Sequence, residues 1–205
     1  MKKLKKEEFT DPLNWLARKF EPLKFLKKIE LACEISPEHY EAHLWTPLKL
    51  VCVTYWLDVY TRIIRRYRSN YVYIDLLAGP GTNCIRETED IILGSPLLAI
   101  QFDFPYYLFF EQRNEKARAL EERLHAFGLE NSKFKVECCD VNSKDFSLIL
   151  APYDHFLAFI DCEGLDISWE TVKHLLSERG DLLFVFMTSQ INRTLGKAKR
   201  GERIP

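Results

Sequence analysis

Phe156-Leu157-Ala158-Phe159-Ile160-Asp161 decides the fold: five apolar side chains in a row, closed by an acid. Side chains alternate between the two faces of a sheet, so a strand apolar at every position is covered on both. That is the condition of a parallel sheet sandwiched by helices. Residues 71–77, 106–110, 133–138 and 182–187 have the same length and character. Helical segments separate them at 95–101, 114–127, 145–150 and 168–178. Strands and helices alternating at this spacing predict an α/β fold with a doubly wound, mostly parallel sheet.

Upstream, residues 1–70 read as a helical extension, punctuated by Pro22 and Pro37, and residues 71–205 as the α/β domain. Residues 12–34 carry a short, irregular helical pattern. Over 45–68, Leu48, Val51, Cys52, Tyr55, Val59, Ile63 and Tyr67 recur at three- and four-residue intervals and predict an amphipathic helix. Thr46 and Pro47 suit its N-cap and first turn. Arg62, Arg65, Arg66 and Arg68 collect at its negative end.

The chain has 205 residues, 47% hydrophobic and 29% charged, a globular composition that excludes a largely disordered protein. No apolar run is long enough to span a membrane. The lysines of residues 1–6 run into Glu7, Glu8 and Asp11 without the apolar core of a signal peptide. The expectation is a cytoplasmic protein with no membrane contact. Six cysteines without a CxxC pair predict reduced thiols. His39 and His43, four apart, can share a helix face but have no third ligand, so no metal is expected. The net charge of −1 is unevenly spread. Residues 1–70 hold fourteen Lys/Arg against nine Asp/Glu, residues 71–190 ten against twenty, and residues 191–205 five against one. An acidic middle suits a cationic ligand, and basic flanks are compatible with nucleic acid.

In doubly wound folds ligands bind beyond the carboxyl ends of the strands. The first strand ends in Asp75-Leu76-Leu77-Ala78-Gly79-Pro80-Gly81, whose glycines permit a sharp turn and close approach of backbone to a ligand. The second ends in Glu111, placed to accept from both hydroxyls of a ribose. Asp140 follows the third, where it can reach an adenine edge, and Asp161 ends the fourth. One crevice would collect all four acids.

Three segments, Tyr73-Ile74-Asp75-Leu76-Leu77-Ala78-Gly79-Pro80-Gly81, Gly94-Ser95-Pro96-Leu97 and Phe159-Ile160-Asp161-Cys162-Glu163-Gly164-Leu165, resemble the three-Cys-motif partner protein family, whose members are similar to class I S-adenosylmethionine-dependent methyltransferases. Trp45-Thr46-Pro47-Leu48-Lys49-Leu50 resembles that family's lead-in helix. The resemblance implies a Rossmann-like methyltransferase fold that binds S-adenosylmethionine. Gly79 and Gly81 would line its methionine portion and Asp75 would serve its ammonium. Glu111 would hold the ribose, Asp140 the adenine amino group, and Asp161 would face the substrate as the catalytic residue. The family's name refers to cysteines of a neighbouring protein, which implies a protein partner encoded nearby. The leading function is methyl transfer, with nucleic acid as the candidate substrate. The alternative is a non-catalytic subunit of the same fold that binds another protein. A nicotinamide-dependent oxidoreductase is disfavoured by the single GxG and by Asp140.

Three further expectations concern the periphery. Residues 82–94, with Arg86, Glu87, Glu89 and Asp90, form an inserted loop, with equal claims to being a lid or part of the substrate site and to being a mobile surface excursion. Only eighteen residues follow the fifth strand, so the last two strands of a complete methyltransferase sheet are expected to be missing. Cys84 and Cys162 are packing residues rather than nucleophiles, while Trp169, Asn192 and Arg193 have equal claims to touching substrate and to packing.

Overall fold

A computed structural model describes residues 26–162, 166–186 and 199–200. The elements run α1 (Leu26–Ile35), β1 (Tyr40–Ala42), α2 (Thr46–Ile64), β2 (Tyr71–Asp75), β3 (Thr82–Ile85), β4 (Ile91–Leu93), α3 (Ser95–Ala99), β5 (Tyr106–Glu111), α4 (Asn114–Ala126), β6 (Phe134–Cys138), α5 (Phe146–Leu150), β7 (His155–Asp161), α6 (Trp169–Ser177) and β8 (Gly180–Val185). Five of the strands form a sheet in the order β6-β5-β2-β7-β8, parallel throughout. The chain enters this sheet at its centre, winds outward through β5 and β6, then returns to build β7 and β8 on the other side. The reversal beside β2 is the switch point at which such sheets open a crevice.

The apolar runs are covered on both faces, as expected. Tyr73, Phe109, Leu157 and Phe159 point into one core with Leu57, Leu97 and Leu120. Val72, Ile74, Phe110, Phe156, Ala158 and Ile160 point into the other, with Phe146 of α5 and Leu175 of α6. The doubly wound, mostly parallel class read from the sequence is the one observed. The two strands expected to be missing beyond β8 lie outside the described residues.

The N-terminal part departs from an all-helical extension. After α1 the chain turns at Ser36-Pro37, where proline disfavours helix in the residue before it. It then runs extended as β1, which pairs in parallel with β3. The inserted segment is likewise not an open loop. β3 and β4 are an antiparallel hairpin, and β1-β3-β4 make a second, three-stranded sheet. Ile85, Ile92 and Leu93 are buried in the same core as Ala32, Ala42, Leu50 and Tyr73. His39 and His43 flank β1 instead of sharing a helix. Nδ1 of His39 lies 2.8 Å from Oγ1 of Thr82, and Nδ1 of His43 lies 2.9 Å from Oε1 of Glu87, so both histidines tie β1 to the hairpin.

Helix α2 reverses an expectation about its faces. Leu50, Val53, Leu57, Thr61 and Ile64 are buried, whereas Leu48, Cys52, Tyr55, Ile63 and Tyr67 of the expected core stripe are exposed and only Val51 of that stripe is fully buried. The helix is apolar on two sides, and the sheet covers one. Its N-cap is Trp45, with Thr46 as the first helical residue and no capping side chain. No helix among the described residues is long and apolar enough to cross a membrane.

Candidate functional site

β2 ends in a loop that only glycine can build. Gly79 and Gly81 have φ of +63° and +90°, in the left-handed region that side chains disfavour. A Cβ on Gly81 would also sit 3.1 Å from Leu97 and from Leu120, tighter than ordinary packing. Backbone bonds pin the loop on both sides. Ala78 N–H donates to the Phe110 carbonyl at 2.8 Å and Gly94 N–H to the Gly81 carbonyl at 2.7 Å. Arg123 of α4, wholly buried, donates to the Pro80 carbonyl at 2.7 Å and to those of Ala32, Ser36 and Glu38 at 2.7–2.9 Å. A single guanidinium thus fastens the glycine loop to the end of α1 and the approach to β1.

Above the loop lies a cavity of about 480 Å³, within the range of small-molecule sites. Gly79, Gly81, Glu111, Asp140 and Asp161 all line it. Glu111 accepts the Gly79 N–H on Oε2 at 3.0 Å and the Arg113 N–H on Oε1 at 2.8 Å, which locks its carboxylate at the mouth of the loop. Asp140 caps a short 3₁₀ turn, its Oδ1 accepting from Asn142 N–H at 2.9 Å. Carboxylates from four strands and connections therefore share one rim, apart from one member.

That member is Asp75, which lies beneath the loop and not in the cavity wall. It is completely buried, and its carboxylate accepts from the Tyr73 hydroxyl and the Leu77 N–H, each at 3.4 Å, and bonds the side chain of Ser95. Burial, reinforced by the Asp161 carboxylate, pushes its carboxyl up to about 7, against those hydrogen bonds. Ser95 opens α3 and lines the cavity, so Asp75 joins the floor of the loop to the start of that helix.

Asp161 pairs with a group that no strand supplies. Its Oδ2 accepts from Nζ of Lys49 on α2, with both side chains about three-quarters buried. Tyr40, Thr46, Arg113, Lys116 and Asp166 complete a wall of mixed charge. The Lys116 ammonium sits 4.4 Å from the centre of the Tyr40 ring. Among these, Lys49 falls in a motif already quoted, but nothing about a lone lysine on an amphipathic helix marks it. The wall residues of β1 and β3, Tyr40, Thr82 and Asn83, are reached only through pairing between distant segments.

The remaining candidates lie apart. Cys162 is buried, and burial raises its thiol, as befits packing. Trp169 is exposed at the start of α6. Asn192 and Arg193 lie outside the described residues. Among the described residues no cluster of three or more His, Cys, Asp or Glu is placed to hold a metal ion.

No family model matches the chain, and no curated protein matches it by sequence. Among solved structures, protein LPL1258 from Legionella pneumophila, of family DUF519, superposes with a TM-score of 0.51 at 16% identity, over 72% of this chain and 71% of its own. At that identity the likeness is one of fold. Two looser superpositions are with PH1948 from Pyrococcus horikoshii and human METTL16. PH1948 is described as a proposed RNA methyltransferase, with a TM-score of 0.42, 18% identity, and 84% and 81% coverage. The N-terminal domain of METTL16, in complex with SAH, has a TM-score of 0.41, 14% identity, and 98% and 89% coverage. The resemblance to the three-Cys-motif partner family rests on the sequence motifs alone.

Proposed function

We propose that this chain binds S-adenosylmethionine and transfers a methyl group from it to nucleic acid. One observation carries the reading: Gly79, Gly81, Glu111, Asp140 and Asp161 line a single cavity at the switch point of a doubly wound sheet. The donor set fits an adenosyl ligand. The loop presents backbone without side chains. The Glu111 oxygens each spend one lone pair on an amide and keep others for ribose hydroxyls. Asp140 uses Oδ1 in its turn and leaves Oδ2 for an exocyclic amine.

Bound S-adenosylmethionine would supply an electrophilic methyl on a cationic sulfur. The protein's part is to hold the acceptor in line with it, the main source of rate in such displacements. Asp161 would accept an N–H hydrogen bond from a nitrogen nucleophile, or take the proton of a hydroxyl as general base, worth about 10²–10⁴-fold. To do so it exchanges one partner, Lys49, for the acceptor. Asp75 works from beneath, by fixing the loop against α3.

Calorimetric titration with S-adenosylmethionine, S-adenosylhomocysteine and NAD tests the cofactor, and tritiated-methyl transfer to RNA, DNA and protein tests the acceptor. Binding of the first two without NAD, followed by label in nucleic acid, is expected. Failure of both adenosyl ligands to bind at millimolar concentration overturns the reading.

A further inference from the structure

The exposed face of α2 has the composition of a nucleic-acid platform. Trp45, Leu48, Tyr55, Trp56, Ile63 and Tyr67 each keep between 47% and 71% of their surface in solvent. At 100° per residue, Leu48, Tyr55, Trp56 and Ile63 turn away from the buried Leu50, Leu57 and Ile64, and Tyr67 stands exposed just past the last helical residue, Ile64. Large apolar side chains left in solvent in such number along one helix mark an interaction site. The charge around it is one-sided: residues 45–70 contain five Lys/Arg and a single acid. That acid, Asp58, is held by Arg62 at 2.8 Å. Arg65, Arg66 and Arg68 follow at the end of the helix, on exposed positions.

We infer that the outer face of α2 binds single-stranded nucleic acid, with bases stacked on Tyr55, Trp56 and Tyr67 and phosphates held by Arg65, Arg66 and Arg68. Guanidinium groups interleaved with aromatic rings are what an unpaired strand requires, because each base offers a π-face and each phosphate a charge. A duplex hides the base faces that these rings would stack on. A second copy is a poor occupant, since a two-fold contact would set one arginine cluster against a face bearing a single paired carboxylate. The helix also leads somewhere. Its first turn supplies the partly exposed Lys49 to the cavity wall, where it pairs with Asp161, so a strand running along the helix toward its N-terminus approaches that wall. That the bound strand is the methyl acceptor rests on the proposed function, whereas the binding surface does not.

The test is fluorescence anisotropy with the full chain and labelled oligonucleotides of about a dozen residues, as single-stranded RNA, single-stranded DNA and duplex, over a salt series. Single strands are expected to bind tighter than duplex, with affinity falling linearly in log–log against salt. The pair Arg65→Glu and Arg66→Glu should weaken binding at least about tenfold and flatten the salt slope by roughly one to two phosphate contacts. The pair Tyr55→Ala and Trp56→Ala should weaken it about tenfold or more. Both variants should keep the wild-type melting transition and calorimetric affinity for S-adenosylmethionine. Unchanged oligonucleotide affinity in the variants overturns the inference, as does duplex binding as tight as single strands. It falls equally if sedimentation shows a wild-type dimer that Trp56→Ala dissociates while oligonucleotide binding is untouched. If the chain binds single strands through this face but ignores S-adenosylmethionine, the surface stands and the methyltransferase reading fails.

Discussion

Lys49, near the start of α2, pairs its ammonium with the carboxylate of Asp161 at the end of β7, 112 residues later in the chain. The contact joins the N-terminal helical part to the strand end that carries the proposed acceptor site. It also gives Asp161 a counter-charge in a wall already holding Glu111, Asp140 and Asp166.

Removing either partner has different consequences. Asp161→Asn should abolish methyl transfer while changing S-adenosylmethionine affinity less than about threefold, since the assigned role is toward the acceptor. Lys49→Met leaves a mostly buried carboxylate unpaired and should cost about 1–3 kcal/mol in urea denaturation. In the double variant part of that loss should return, a coupling of about 0.5–2 kcal/mol. Turnover retained in Asp161→Asn, measured with tritiated methyl, removes the catalytic assignment.

Arg123 satisfies four carbonyls from three parts of the chain, so its loss is structural before it is functional. Arg123→Met should lower stability by at least about 3 kcal/mol, because the buried carbonyls of Ala32, Ser36 and Pro80 each lose a charged donor. Arg123→Lys keeps the charge but lacks the planar fork and should recover only part of the loss. Equal midpoints for wild type and Arg123→Met in urea would contradict this account.

Asp75 makes stability depend on pH. Its carboxyl is raised from an ordinary 3.8 to about 7, chiefly by burial. Between those values the folded chain keeps a proton that the unfolded chain has released, so stability falls as pH rises. The contribution is whole below about pH 4 and lost as pH passes through about 7, a change on the order of 4 kcal/mol. Asp75→Asn removes the titration. The stability of wild type relative to Asp75→Asn should therefore drop from pH 4 to pH 8, and a difference flat over that range would show that Asp75 does not carry it.

Two glycines with positive φ separate conformation from space. Gly128, φ +84°, has nothing within 4 Å of the position a Cβ would take, so Gly128→Ala should cost only the backbone term, about 1 kcal/mol. Gly81→Ala adds the contacts with Leu97 and Leu120 and should cost about 2–4 kcal/mol. It should also weaken adenosyl binding. Thermal melts of both variants give the ordering directly.

The central sheet was legible because its signal is local. A strand such as Phe156–Ile160, apolar at every residue, has one solution, and its neighbours repeat it with helical periods between them. The strand-end acids followed from that reading, and Glu111, Asp140 and Asp161 do meet at one rim. Asp75 shows the limit: a strand-end position fixes where a residue stands along the sheet, but not whether its carboxylate opens to the cavity or is sealed beneath a loop.

What only tertiary structure decided depends on partners far away in sequence. β1 is three residues long and exists because β3, some forty residues on, offers it an edge. The hairpin carries a charged tip between short strands, so its sequence reads as loop. Helix α2 has two apolar faces, and periodicity alone cannot choose between them; burial of Leu57 and exposure of Trp56 were settled by where the sheet lies. Lys49 became a site residue by the same route, because the packing of α2 carries its ammonium across to β7. Local pattern determined the strands and helices of the central sheet, while long-range packing determined the short second sheet and which side chains face one another.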